Sequence, residues 1–322
     1  MKAFKKYLSA YPYAHGIMFH YFHNEIHPPS QGSITQEQCL LLFESIRSSV
    51  IQPEEWIDKF RKGRLCSSDI CITFDHGLLS QYDIAYPILQ RFGMRAFWFV
   101  NTVSLNGEIE HLELYRYFRN TCFKTIEDFY KAFFFALSKQ PFFEAIENTL
   151  HHFNFSSYLN EFHFYTYNDR KYRYIRDKVL TSFQYHLLMS QLMMQKDFDV
   201  DKTLKKIWMG MPELKKLSDE GHIIGLHGHS HPTQMGTLSF DEQKREYTFN
   251  DELLVKLLGK KSIIMAHPNN SYNQDTLKIL QKLGIEIGFR SNMIQKESFT
   301  ALEQPRQDHT ILIDNLFKER LR

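Results

Sequence analysis

The sequence lacks the features that would place it in several large classes. Its four cysteines, Cys39, Cys66, Cys71 and Cys122, make no C-x-x-C pair and no disulfide framework. No apolar run approaches the length needed to span a bilayer. The stretch from Met1 to Gly16 is basic but has no apolar h-region, so no signal peptide is expected. A formal net charge of +2 supplies neither a nucleic-acid stripe nor a polybasic membrane patch. Short internal repeats and low-complexity segments are missing as well. These absences predict a soluble, reduced, cytoplasmic protein without a membrane span or a nucleic-acid partner. What the chain has in abundance is aromatic residues, 28 Phe and 17 Tyr in 322 residues, which points to a large aromatic core. That length suits one large α/β domain or a domain carrying a substantial insert.

Short apolar runs alternate with amphipathic helices at both ends of the chain. His15–His20, Asp69–Phe74 and Ala96–Val100 read as the first three strands. Thr35-Gln-Glu-Gln38 is a capping box that opens a helix with Leu41, Leu42 and Ile46 on one face. A helix over roughly Ser80–Phe92 stops at Gly93. From Leu112 to Met211 the pattern is mostly helical. Thr125 and Asp128 cap a helix with Ile126, Phe129, Tyr130, Phe133 and Leu137 on one stripe, and a longer helix is expected from Arg176 to about Lys196. The Phe and Met stripes of this block are read as its own core.

Alternation resumes at Pro212. Strands are expected at Ile223–Leu226, Ser262–Ala266 and Ile285–Phe289, with Ile311–Ile313 closing the sheet. Ser239-Phe-Asp-Glu242 caps a helix that ends near Gly259, and Asn273 caps another that ends at Gly284. Strand-then-helix repetition implies parallel strands, about seven of them, in an α/β barrel or a doubly wound sheet.

Three strand ends carry chemistry, which is where parallel α/β proteins place their ligands. Thr73-Phe-Asp-His-Gly77 sets a carboxylate beside an imidazole. His227-Gly-His-Ser-His231 follows the apolar run Ile223–Leu226, and its H-x-x-x-H spacing can turn two imidazoles to one ion. The alternative for that pair is surface or hydrogen-bonded structural histidines. Ala266-His-Pro-Asn-Asn-Ser-Tyr-Asn273 is a polar loop rich in hydrogen-bonding groups.

In this order the three motifs resemble those of the NodB-type polysaccharide deacetylases, carbohydrate esterase family 4, over roughly Ile70–Val100 and Gly221–Phe289. The resemblance implies a distorted (β/α)7 barrel: residues 1–104 would be its first part, 105–211 a helical insertion and 212–322 its second part. It also implies a hydrolase acting on the amide bond of an N-acyl sugar, with a divalent metal, expected to be Zn. Asp75 matches the family's general base and His227 and His231 its two histidine ligands, while His76 stands where the family has an aspartate ligand. Chemically, such an ion polarises an acyl oxygen and acidifies a water, and Asp75 would take that water's proton.

The family's C-terminal Leu-x-His, its acid, has no counterpart here. Ile17-Met-Phe-His20 resembles the first-strand segment that carries the acid in a branch similar to the poly-N-acetylglucosamine deacetylases, so His20 takes that role, with His23 behind it. Pro305-Arg306-Gln-Asp308 resembles a late segment of the same branch, which would make Arg306 orient Asp75. In the third motif, where the family has Tyr and Gly, stand Asn269 and Asn270; Asn269 and Tyr272 are assigned to substrate binding or support. His229 is left out because adjacent loop positions point opposite ways. The expected function is N-deacylation, a deacetylase or deformylase, of a sugar nucleotide or lipid-linked precursor in surface-polysaccharide or lipopolysaccharide biosynthesis. The histidine at position 76 and the altered third motif motivate the alternative, a catalytically inactive relative that binds glycan or assembles a complex.

Overall fold

Six short apolar segments and a seventh, polar one line up side by side as parallel strands and close nearly into a barrel. The computed structural model describes residues 2–159, 165–294 and 300–320. The strands are β1 (His15–Phe19), β2 (Ile70–Asp75), β3 (Phe97–Val100), β4 (Ile223–Leu226), β5 (Ile264–Ala266), β6 (Ile287–Phe289) and β7 (Arg306–Asp308). Their order is β6-β5-β4-β3-β2-β1-β7, all parallel. A parallel bridge from Phe289 to Gln304, just before β7, brings the two edges together. There Arg290 N donates to Gln304 O (2.8 Å) and Gln304 N to Gly288 O (2.7 Å). This is the distorted (β/α)7 barrel that the motif resemblance implies.

The pleat separates two cores. Cys71, Phe97, Phe99, Ile264, Ala266, Ile287 and Phe289 face the barrel interior, where Phe97, Phe99 and Phe289 lie with ring centroids 5.5 to 6.4 Å apart. Trp56, from the helix Pro53–Arg61, joins them 6.1 Å from Phe289. Ile70, Ile72, Phe74, Trp98, Ile224 and Leu226 face outward and pack under the helices, with Phe74 stacked on Trp98 at 4.1 Å. β2, β3 and β4 thus carry apolar residues toward the helices, and β2, β3, β5 and β6 toward the interior, as in strands covered on both sides.

Capping chemistry marks the helices where expected. Thr35 and its N3 Gln38 form a reciprocal capping box, as do Ser239 with Glu242 and Asn273 with Thr276. Gly93 and Gly259 end their helices in the left-handed conformation. The helix after β2 opens with a π-helical turn, Gln81–Ala85, before the α-helix Tyr86–Phe92.

Residues His111–Lys205 form a second compact unit, the remainder of the chain the first. The insertion is expected at 105–211, whereas the second unit runs from His111 to Lys205, so residues 105–110 and 206–211 belong to the barrel unit. Within the helical unit, Phe129, Tyr130, Phe133 and Leu137 of the helix Ile126–Ser138 are buried, as are Leu188, Met189 and Leu192 of the helix Ser182–Gln195. The buried Arg119 guanidinium lies over the Tyr172 and Phe129 rings, 5.1 and 5.7 Å from their centroids.

Two expected elements differ. Ile311–Ile313 is not a strand but part of the helix His309–Arg320: Leu312 is buried while Ile311 is 46% exposed, a helical pattern. The strand beside β1 is instead the polar Arg306-Gln-Asp308. The helix expected over Arg176–Lys196 is broken. A π-helical turn, Ile175–Val179, gives way to extended Leu180, and a capping box of Thr181 with Gln184 starts a new helix.

Close packing of the interior makes a sharp prediction at Gly225, which faces Phe99 across β3 and β4. A Cβ there would lie 2.7 Å from Phe99 Cδ1 and 2.9 Å from the Ile264 backbone oxygen. Gly225→Ala is expected to lower stability by about 1–3 kcal/mol in urea denaturation, as overpacking does.

Candidate active site

The mouth of the barrel, at the C-terminal ends of the strands, gathers the residues that the motifs single out. β2 turns Asp75 inward above the Phe99 layer. β7, three places away in the sheet order from β3, turns Arg306 toward it from the far side of β1. Arg306 donates from Nη1 to Asp75 Oδ1 (2.5 Å) and from Nη2 to Asp75 Oδ2 (2.7 Å), a two-point ion pair with the arginine 0% and the aspartate 2% exposed. Arg306 Nε donates to Arg290 O (2.7 Å), and its guanidinium sits 5.4 Å from the Phe99 ring centroid. Gly16, its register partner in β1, leaves room: a Cβ there would lie 3.0 Å from Arg306 Cγ. Burial pushes the Asp75 carboxyl up, but the Arg306 guanidinium, with His227 and His20 behind it, outweighs this and holds it well below the usual carboxylate range.

Opposite Asp75 stand three buried imidazoles. One ring nitrogen each from His76, His227 and His231 lies within 4.8 Å of the others. Ring centroids are 4.5 Å apart for His76–His231, 4.8 Å for His227–His231 and 5.3 Å for His76–His227. His227 Nδ1 lies 2.9 Å from the Ala266 carbonyl, to which it can only donate, so its Nε2 is left as a bare lone pair. That Nε2 and both ring nitrogens of His231 have no hydrogen-bond partner among the described residues. Burial lowers the pKa of His227 and, further, that of His231, so both stay neutral, the form a metal binds. The backbone at His76 (φ 77°) and His231 (φ 55°) is left-handed, costly for a non-glycine residue and typical of functional sites. Two buried, neutral imidazoles with bare nitrogens, His227 and His231, and a third buried imidazole, His76, beside them fit a Zn-type ion, for which nitrogen donors are suited.

His20 follows β1 with Nε2 3.6 Å from Asp75 Oδ2 and its ring 5.3 Å from that of His76. Burial lowers its pKa, partly offset by Asp75 and Asp308. His23 lies elsewhere in contact terms, with Nδ1 2.8 Å from Ser33 Oγ. His229 turns away to Thr102, its Nδ1 3.0 Å from Oγ1. His222 accepts from Trp98 Nε1 (3.1 Å), and His267 Nε2 lies 2.8 Å from the Leu302 carbonyl. Tyr272 donates to Glu303 Oε1 (2.8 Å) and stacks on His267 at 4.1 Å, while Asn269 is exposed, with φ 50°. Both belong to the loop after β5, and their contacts are those of supporting residues.

Two supports escape sequence reasoning. Gln81 Nε2 lies 2.7 Å from both the Asp75 and His20 carbonyls, tying the ends of β1 and β2. Asn250 accepts from His227 N (2.8 Å) and donates to Val100 O (2.9 Å), tying β3 to β4. The available signal for Asn250 is a polar residue on the buried stripe of the helix Phe240–Leu258.

The seven-stranded parallel barrel thus sets a buried carboxylate beside an imidazole cluster at its strand-end mouth, where such barrels place their chemistry. The polysaccharide deacetylase family profile matches residues 168–288. That stretch includes the histidine motif after β4 but not β1 or β2. The chain is 33% identical over 79 residues to the peptidoglycan-N-acetylmuramic acid deacetylase PdaA of Bacillus subtilis, 24% of this chain and 30% of that protein. The match thus spans less than a third of that relative's length. Among solved structures, the Streptococcus pyogenes deacetylase PplD in complex with acetate superposes with a TM-score of 0.57 at 15% identity, covering 95% of this chain and 98% of that one. IcaB from Ammonifex degensii follows at 0.52 and 14%, covering 92% and 91%. These likenesses show the shared fold. Over residues 168–288 the chain is thus similar to the polysaccharide deacetylases, and over nearly its whole length it shares their fold.

Removing one half of the Arg306–Asp75 pair would leave the other charge buried. Arg306→Met is expected to cost about 3–5 kcal/mol in urea denaturation. Arg306→Lys should recover only part of this, since an ammonium lacks the planar fork.

Proposed function

We propose that the protein is a metal-dependent N-deacylase of an amino sugar. The observation that carries this reading is the Asp75 carboxylate, clamped at two points by Arg306, beside the clustered buried imidazoles of His76, His227 and His231, the last two with bare nitrogens. His76, His227 and His231 would hold the ion, which when bound supplies a Lewis acid for an acyl oxygen and acidifies a water. Asp75 acts as general base. Both its oxygens face Arg306, but a carboxylate has about four lone-pair sites, so it can still accept a proton from the attacking water. As that water's oxygen bonds to the acyl carbon, the C–N bond breaks and the amine nitrogen must take up a proton. His20, 3.6 Å from Asp75 Oδ2, stands where it can deliver one. Water and amide thus become carboxylic acid and amine, with Asp75 and His20 restored by passing one proton between them.

The name of the Bacillus subtilis relative supports an N-acetylated amino sugar as substrate class. The finer assignment, a sugar nucleotide or lipid-linked sugar used in surface-glycan or lipopolysaccharide assembly, is part of the proposal. A screen for released amine over N-acetyl and N-formyl forms of these sugars tests it; metal-loaded protein inert toward all of them would contradict it.

Asp75→Asn should keep metal and lose about 10²–10⁴-fold in turnover, since an amide cannot take the water's proton. His20→Ala should lower turnover far more than metal content; a collapse of metal content would move His20 into the coordination sphere. At position 76, three neutral imidazoles leave a divalent site at +2, where an aspartate would leave +1, which favours Zn over harder ions. Zinc stoichiometry after mild chelation should therefore be retained by wild type and His76→Asp and lost by His76→Ala. Equal retention in His76→Ala would remove His76 from the site.

A further inference from the structure

The end of β3, between β2 and β4, and the loop after β2 carry two buried polar groups that neither the fold nor the proposed chemistry employs. β3 turns Phe97 and Phe99 inward and Trp98 and Val100 outward, so the next residue, Asn101, turns inward at the mouth. Val100 pairs with Leu226, which sets Asn101 beside the chain that continues into His227. On its other side Val100 packs on Gly77, where a Cβ would lie 3.2 Å from Val100 Cγ1. Asn101 is 0% exposed, and neither Oδ1 nor Nδ2 has a hydrogen-bond partner among the described residues.

Trp208 reaches the same loop along a different path. It forms an antiparallel bridge with Leu78, and the following Met209 N donates to Gly77 O (2.9 Å). Its Nε1 is buried and likewise has no hydrogen-bond partner among the described residues, although the residue is 8% exposed. Asn101 and Trp208 thus flank the segment Gly77–Leu78, directly after His76. Buried polar groups are almost always satisfied, so two orphans beside one loop call for an occupant.

Their chemistry narrows what it is. Together they offer three N–H donors and one carbonyl acceptor and carry no charge. Hydroxyl groups, each donor and acceptor at once, match that set; a phosphate or carboxylate would leave the Asn101 carbonyl facing an anion. We propose that Asn101 and Trp208 Nε1 form a hydrogen-bonding subsite for the hydroxyls of the sugar ring whose N-acyl group faces Asp75. This deepens the deacylase reading and rests on it.

The test uses the full zinc-loaded chain, penta-N-acetylchitopentaose as probe, and the variants Asn101→Leu and Trp208→Phe. Leucine replaces an unpaired amide by an apolar group of similar size, and phenylalanine removes the indole N–H while keeping an aromatic ring. Both variants should keep wild-type zinc content and a Tm equal to or above that of wild type, since no hydrogen bond of the free protein is lost. KM should rise about tenfold or more with kcat little changed, as expected for lost substrate binding. An unchanged KM in either variant overturns the subsite, and so does a lowered Tm with unchanged KM, which would assign the residues to the fold. If wild type releases no acetate from the probe, deacetylation of that glycan fails and calorimetric binding decides the subsite separately. Saturable wild-type binding that is lost in both variants upholds it; absent wild-type binding, or equal binding by the variants, overturns it.

Discussion

One buried ion pair organises this molecule. Arg306 and Asp75 are both withdrawn from water, and a pair so buried gains little net stability over apolar residues of the same size. Its cost is offset by geometry: a planar fork meets a carboxylate at two points, and Nε finds the Arg290 carbonyl. Much else follows from it. β7 must lie beside β1 to bring Arg306 in, Gly16 must lack a side chain to admit it, and Phe99 provides the floor on which the guanidinium rests. The pair keeps Asp75 ionised at the centre of a group of histidines that burial keeps neutral. In the proposed reaction that ionised carboxylate would be the base and the neutral imidazoles the ligands.

Rigidity around the pair comes from hydrogen bonds to backbone rather than from the site residues themselves. Gln81 and Asn250 tie neighbouring strand ends, and the Ala266 carbonyl selects the tautomer of His227. The turns at His76 and His231 take left-handed backbone that side chains disfavour, a local strain held by the strands on either side. Among the site histidines, His227 Nε2 and both ring nitrogens of His231 are left without a hydrogen-bond partner among the described residues.

Six of the strands and most helices were legible because each announces itself locally: short apolar runs ending in polar residues, and capping boxes at Thr35, Thr125, Ser239 and Asn273. Asp75, His227 and His231 were legible from motif spacing at strand ends. β7 was not, because Arg306-Gln-Asp308 has no hydrophobic signal and is a strand only through its pairing with β1, so the neighbouring apolar run drew the assignment. The helix break before Thr181 is marked in the sequence by the capping box Thr181-Ser-Phe-Gln184, which competes with the continuous apolar stripe. Gln81, Asn250, Asn101 and Trp208 lie beyond sequence reasoning for another reason. Their meaning depends on which backbone groups they meet, or fail to meet, across the sheet.

The most direct measurement of the central claim is zinc X-ray absorption spectroscopy on the loaded protein, comparing wild type with Asp75→Asn. The account predicts three imidazole nitrogens at about 2.0–2.1 Å, the usual zinc–histidine distance, in both proteins, because Asp75 serves as base and not as ligand. A sphere with fewer than three imidazoles, or one that changes when Asp75 is replaced, would contradict it.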